Sequence, residues 1–81
     1  RAVGAIHRHP ERPWTVATLA REAGMSRSRF AERFAAVLGR PPLAYLAAWR
    51  MHRGRALLRE GALRVGEVAR RVGYGSEAAF S

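Results

Sequence analysis

Apolar residues in this chain recur at three- and four-residue intervals and are cut off by glycine or proline, a pattern that predicts a succession of short helices. Val3 and Ile6 suit a first helix within 1–9, which ends at His9-Pro10 because proline disfavours helix in the residue before it. Thr15 is a good N-cap for a helix from Val16 to about Ala23, with Val16, Leu19, Ala20 and Ala23 on one face and Gly24 as its closing residue. Ser26 caps the next helix, where Phe30, Phe34, Val37 and Leu38 form an i, i+4, i+7, i+8 stripe that stops at Gly39 and Pro41-Pro42. A long helix is predicted from Pro42 to Glu60, ending at Gly61, with Leu43, Leu46, Ala47, Gly54, Leu57 and Leu58 on its buried side. Tyr45 and Trp49 add aromatic bulk, and Gly54 in the interior marks a close helix contact. Val65 to Val72 predicts a further short helix closed by Gly73, and Ser76 caps a last one that contains Phe80. Nothing alternates with period two over a useful length. The expected class is all-α.

Part of this pattern occurs twice. Val16-x-x-Leu19-Ala20-Arg21-x-Ala23-Gly24-Met25 returns as Val65-x-x-Val68-Ala69-Arg70-x-Val72-Gly73-Tyr74. Each copy is followed by a serine, Ser26 or Ser76, and then a phenylalanine, Phe30 or Phe80. A short helix with a small alanine, a glycine turn and a capped second helix is the sequence image of a helix-turn-helix. The expected organisation is a first helix-turn-helix subdomain over 1–40, a connector helix over 42–60 and a second, incomplete one over 65–81. At about 1.5 Å per residue the connector spans roughly 28 Å, against about 34 Å between successive major-groove faces of B-DNA. That length suits two recognition helices gripping one duplex a turn apart in a single monomer.

Charge strengthens this reading. A formal net charge of +9 on 9.0 kDa is large, and all 15 basic residues are arginine. Codon bias in a GC-rich genome explains arginine in place of lysine, but not the excess of positive charge. Arginine's planar fork suits phosphate and guanine edges, so the partner expected is a polyanion. A basic membrane-surface helix fits less well, because the apolar residues are divided among segments separated by glycine and proline. There is no cysteine, lysine or aspartate, and the three histidines do not share a face, so catalytic and metal sites are not expected. Cofactors are likewise expected to be none. No run approaches the roughly 18 apolar residues of a membrane span, and nothing resembles a signal peptide, which makes a cytoplasmic protein the expectation. Trp14, Trp49 and the phenylalanines stand at core spacing rather than as base-stacking platforms.

A recognition helix must bury one side and offer the other to the groove. Opposite the Phe30 stripe lie Ser28, Arg29, Glu32, Ala35 and Ala36, with Arg33 at the edge. Serine pairs with several bases, arginine with guanine, and glutamate accepts from the cytosine amino group. The amides after Ser26 and Ser76 are phosphate ligands in waiting, and Arg27, Arg33 and Arg40 are expected on phosphate. Glu32 either reads a cytosine or, the favoured reading, pins Arg29 in an i, i+3 ion pair.

At this level the chain resembles the DNA-binding domain of the AraC/XylS family of bacterial transcription regulators. The resemblance rests on Leu19-Ala20-x-x-Ala23-Gly24-Met25-Ser26-x-Ser28-x-Phe30-x-x-x-Phe34, then Gly39-x-Pro41-Pro42-x-x-Tyr45-Leu46-x-x-x-Arg50 and Leu57-Leu58. It continues through Val65-x-x-Val68-Ala69-x-x-Val72-Gly73-Tyr74-x-Ser76-x-x-x-Phe80. It implies a homeodomain-like arrangement of two helix-turn-helix subdomains joined by a long connector helix, inserting recognition helices into adjacent major grooves of double-stranded DNA. It also implies base-facing positions at Ser28, Ala31 and Glu32 in the first reader, and at Glu77, Ala78 and Ala79 in the second. Two residues depart from the family: Glu32, where arginine is common, and Gly54, where alanine is common.

The resemblance implies an effector-binding or dimerisation domain upstream in the intact regulator, and RNA polymerase as a partner. The other readings are the helix-turn-helix portion of a larger alkyl-transfer DNA-repair protein, and a basic helical interaction module without sequence preference. A start at Arg1 without methionine suggests a piece of a longer protein, and the family continues beyond the residue equivalent to Ser81. A C-terminally truncated piece is therefore expected to fray after about Gly73, because one isolated turn is a marginal helix.

Overall fold

The computed structural model describes residues 1–61 and 63–74. They form α1 (Ala2–Arg8), α2 (Val16–Ala23), α3 (Arg27–Leu38), α4 (Pro42–Glu60) and α5 (Val65–Arg71), and no strand occurs among them. The helix ends follow local chemistry. Thr15 and Thr18 make a reciprocal capping box at the start of α2, with the Thr18 amide donating to Thr15 Oγ1 at 3.1 Å and the Thr15 amide to Thr18 Oγ1 at 2.9 Å. Gly24, Gly39 and Gly61 close α2, α3 and α4 in the left-handed region, as the sequence predicts. α5 is one residue shorter than expected, since Val72 is its C-cap.

Two apolar clusters hold the molecule. The first joins Ile6, Leu19, Ala20, Phe30, Phe34 and Leu46 from α1 to α4. The second joins Val68, Ala69 and Val72 at α5 to Met51, Leu57 and Leu58 of α4. Leu19, Phe30, Phe34, Leu46 and Val68 are buried as expected, whereas Leu57 is half-buried.

α4 serves the two clusters with different flanks. At about 100° per residue, Pro42, Tyr45, Leu46 and Trp49 point one way, and Met51, Gly54, Leu57 and Leu58 point roughly 140° away. The expectation of one continuous buried side is therefore corrected. Leu43 (44% exposed) and Ala47 lie on the flank that only the second half of the helix covers.

An aromatic ladder fixes α3 and α1 on α4. Phe30 and Phe34 are 5.5 Å apart, Phe34 meets Tyr45 edge-on at 5.4 Å, and His7 stacks on Trp49 at 4.0 Å. His7 Nε2 lies 2.9 Å from the Tyr45 hydroxyl, so this histidine braces α1 against α4. Trp49 contributes its ring rather than its N–H, which is buried without an acceptor.

Candidate nucleic-acid interface

α3 turns a polar face outward because its two phenylalanines turn inward. Phe30 and Phe34 are buried, and Leu38, Ala31 and Ala35 are half-buried beside them. Ser28, Arg29, Glu32, Arg33 and Ala36 are exposed on the other side. The buried arc is therefore centred closer to Ala31 and Ala35 than the sequence pattern suggests. Two residues change sides as a result. Ala35 leaves the exposed face, and Val37, expected in the core, stands 71% exposed. At about 100° per residue Val37 lies at the edge of the buried arc away from Ala31 and Ala35, beside exposed Arg33. Val37 instead rims an open cleft of about 170 Å³ with Ala23, Met25 and Phe30. Ala31, half-buried, can offer a groove no more than the edge of its methyl.

Ser26 caps α3 weakly, its hydroxyl accepting from the Arg29 amide at 3.4 Å. Ser26 and Arg27 are exposed at this end of the helix, so the first-turn amides face outward next to Arg27. Arg40 is exposed in the turn between α3 and α4. The structure thus brings Ser26, Arg27, Ser28, Arg29, Glu32 and Arg33 onto one helix end and face. Ser76, Glu77, Ala78 and Ala79, with the fraying expected after Gly73, lie outside the described residues.

The expected ion pair between Arg29 and Glu32 does not form. The salt-bridge contact present among the described residues joins His9 Nδ1 to Glu11 at 3.5 Å and is ionic only when the imidazole is protonated. Side chains three apart on a helix can meet, but such exposed pairs gain only a few tenths of a kcal/mol, about the entropy they cost. Glu32 is left as an open carboxylate between Arg29 and Arg33, and all three line a shallow cleft with Met25 and Ala36.

Sequence reasoning assigned no role to Arg50 beyond its place in a motif. Its Nε–H donates to the Pro10 carbonyl at 2.9 Å and its Nη2–H to the Arg12 carbonyl at 2.8 Å. Its guanidinium also lies 5.8 Å from the centre of the Tyr74 ring. Burial pushes the guanidinium below its usual pKa and Tyr74 opposes the shift, but arginine stays charged throughout the working range. The linker that Arg50 grips is held as well by Trp14, whose indole N–H donates to the His9 carbonyl at 2.8 Å. The available signal was a buried-flank arginine that helical spacing alone does not explain.

A family model described as a helix-turn-helix domain matches residues 19–81. A Streptomyces lividans protein described as an AraC-like transcription regulator is 49% identical over 80 residues, covering 99% of this chain and 26% of that protein. The HTH-type transcriptional regulator AlkR of Acinetobacter baylyi is 46% identical over 80 residues, with the same two shares. The chain thus spans about a quarter of the length of these relatives. Among solved structures, the DNA-binding domain of the global transcriptional factor AdpA, in complex with a target DNA, superposes with a TM-score of 0.89. It is 36% identical, and the match covers 98% of this chain and 71% of that one. The C-terminal domain of the response regulator yesN from Fusobacterium nucleatum has the same fold, with a TM-score of 0.86 at 24% identity over 98% of this chain and 84% of that one.

Proposed function

The chain belongs to the AraC/XylS-type helix-turn-helix family, and from that premise we propose that it is the DNA-reading unit of a transcription regulator, holding one duplex by two heads. The observation that carries the proposal is the α3 face: Ser28, Arg29, Glu32 and Arg33 exposed together above Phe30 and Phe34, which are locked into the core. The likeness to a domain solved on its target DNA supports duplex DNA as the partner.

In this reading α3 enters the major groove by its N-terminal half. Arg27, Arg33 and Arg40 grip phosphate, assisted by the amides that follow Ser26. Ser28 and Arg29 meet base edges. Glu32, open in the structure, accepts from a cytosine amino group, and the arginines beside it offset its repulsion of phosphate. The second head reads through Glu77, Ala78 and Ala79 with Ser76 as its cap, the alanines making methyl contacts. The chain acts as a binding unit, not as an enzyme. In the intact protein an effector-binding or dimerisation domain and contact with RNA polymerase complete the regulator, in the cytoplasm. Among the described residues no helix is long and apolar enough to cross a membrane.

Selection from random duplexes, followed by binding to selected and scrambled sequences at one salt concentration, tests the reading. Specific affinity should exceed non-specific affinity by about 10³ or more. Equal affinities would leave a basic module bound by counterion release alone.

A further inference from the structure

Arg50 differs from the arginines of the reading face. It is half-buried in the middle of α4, where the flank serving the first cluster gives way to the flank serving the second. Its two hydrogen bonds hold carbonyls of the linker between α1 and α2, in the first subdomain. Its guanidinium packs on Tyr74, at the end of the second helix-turn-helix's first helix.

Gly73 completes the same junction from the other side. Its φ of +102° is a conformation that residues with a side chain rarely adopt. A Cβ placed there would stand 2.7 Å from the Pro10 carbonyl oxygen and 2.8 Å from Arg50 Nε. The backbone that closes α5 therefore rests directly on the first subdomain's linker, and Arg50 ties the two together. Among the described residues the subdomains are otherwise related by α4, the small Val68 cluster and a cleft where Arg71 and Val72 face His7, Arg8 and Pro10.

The geometry points to Arg50 as a positioning residue that sets the second reading head in register with the first, so that the spacing between half-sites is itself recognised. The inference rests on the two-headed reading proposed above. In that reading the second head's cap, Ser76, follows Tyr74 by two residues, so whatever fixes Gly73 and Tyr74 fixes where that head starts. One added base pair turns a half-site by roughly 35° about the duplex axis, a mismatch that a clasped pair cannot follow and a loosely tethered pair can. Lysine cannot replace arginine here, because a single ammonium does not serve two carbonyls and a ring face as a planar fork does.

The experiment measures binding of the chain, carried on past Ser81 as the family resemblance implies, by fluorescence anisotropy at one salt concentration, to three duplexes taken from the selected operator. These are the full site at native spacing, the full site with one added base pair, and the first half-site alone. The chain should lose about tenfold or more in affinity on the insertion. Arg50→Ala and Arg50→Lys should both keep first half-site affinity within about twofold, bind the native full site about tenfold more weakly, and lose less than about threefold on the insertion. Gly73→Ala should behave in the same way, from the opposite side of the contact. Arg50 variants that retain the parent's penalty for insertion would overturn the role assigned to Arg50 while leaving the two-headed reading intact. Variants that lose half-site affinity as well would overturn it too, by showing that Arg50 maintains the first head's fold instead of the register. A parent chain indifferent to the insertion would overturn the two-headed reading itself, and this inference with it.

Discussion

Phe34 and Tyr45 meet edge to face, their ring centres 5.4 Å apart, and this contact seats the reader helix on the connector. Phe34 is buried one turn beyond Phe30, so α3 cannot roll about its axis without breaking the contact. The face carrying Ser28, Arg29 and Glu32 is thereby aimed by the core. A substitution that never touches DNA can therefore alter reading.

Phe34→Ala should lower stability by about 3–5 kcal/mol, as large-to-small changes of buried aromatic residues do. Val37→Ala, on the same helix three residues on, should change it by less than about 0.5 kcal/mol, because Val37 is exposed. Urea unfolding midpoints compare the two. A large loss for Val37→Ala would mean that the expected i, i+7 stripe, not the observed arc, is the buried one.

The α2 capping box makes a second stability prediction. Thr15→Ala should cost about 1 kcal/mol and Thr15→Gly only a few tenths, because both remove the acceptor but glycine leaves the first-turn amides open to water. Thermal denaturation of both variants measures this. No loss in either variant would assign the start of α2 to something other than the cap.

Phosphate and base contacts separate by their salt dependence. Replacing Arg27, Arg33 or Arg40 by alanine should weaken binding to all duplexes alike and shallow the slope of log affinity against log salt by about one unit. Ser28→Ala should leave the slope unchanged and alter preference at one or two base pairs. An arginine variant whose loss is confined to one base position is a base reader.

Glu32→Ala should raise non-specific affinity, since a carboxylate is removed from a DNA-facing surface, and relax a cytosine preference worth about 1–3 kcal/mol at one position. Binding to the four single-position variants of the selected site measures it. An unchanged preference profile would reduce Glu32 to a charge on the surface.

The helix boundaries were legible because local chemistry sets them. Thr15 and Ser26 as caps, Gly24, Gly39 and Gly61 as closures and Pro42 at a helix start all act over three or four residues. The exposed α3 face followed from the positions of Phe30 and Phe34. Less legible was everything set by what lies opposite. Leu43 and Val37 belong to apolar stripes but lack a covering neighbour, and α4 changes its buried flank midway. The Arg29–Glu32 pair had suitable spacing and too little to gain. Least legible was the Arg50 clasp, whose acceptors are backbone carbonyls some 38 and 40 positions away and leave no trace in side-chain pattern.

The central claim is that one chain reads one duplex at two places on the same face. Footprinting of this DNA-binding unit, carried on past Ser81 as the family resemblance implies, on its selected operator, with the mass of the complex fixing one chain per duplex, tests this most directly. Two protected major-groove segments about 10–10.5 base pairs apart, on one side of the helix, are predicted. A single protected segment, or two segments facing opposite sides, would contradict it.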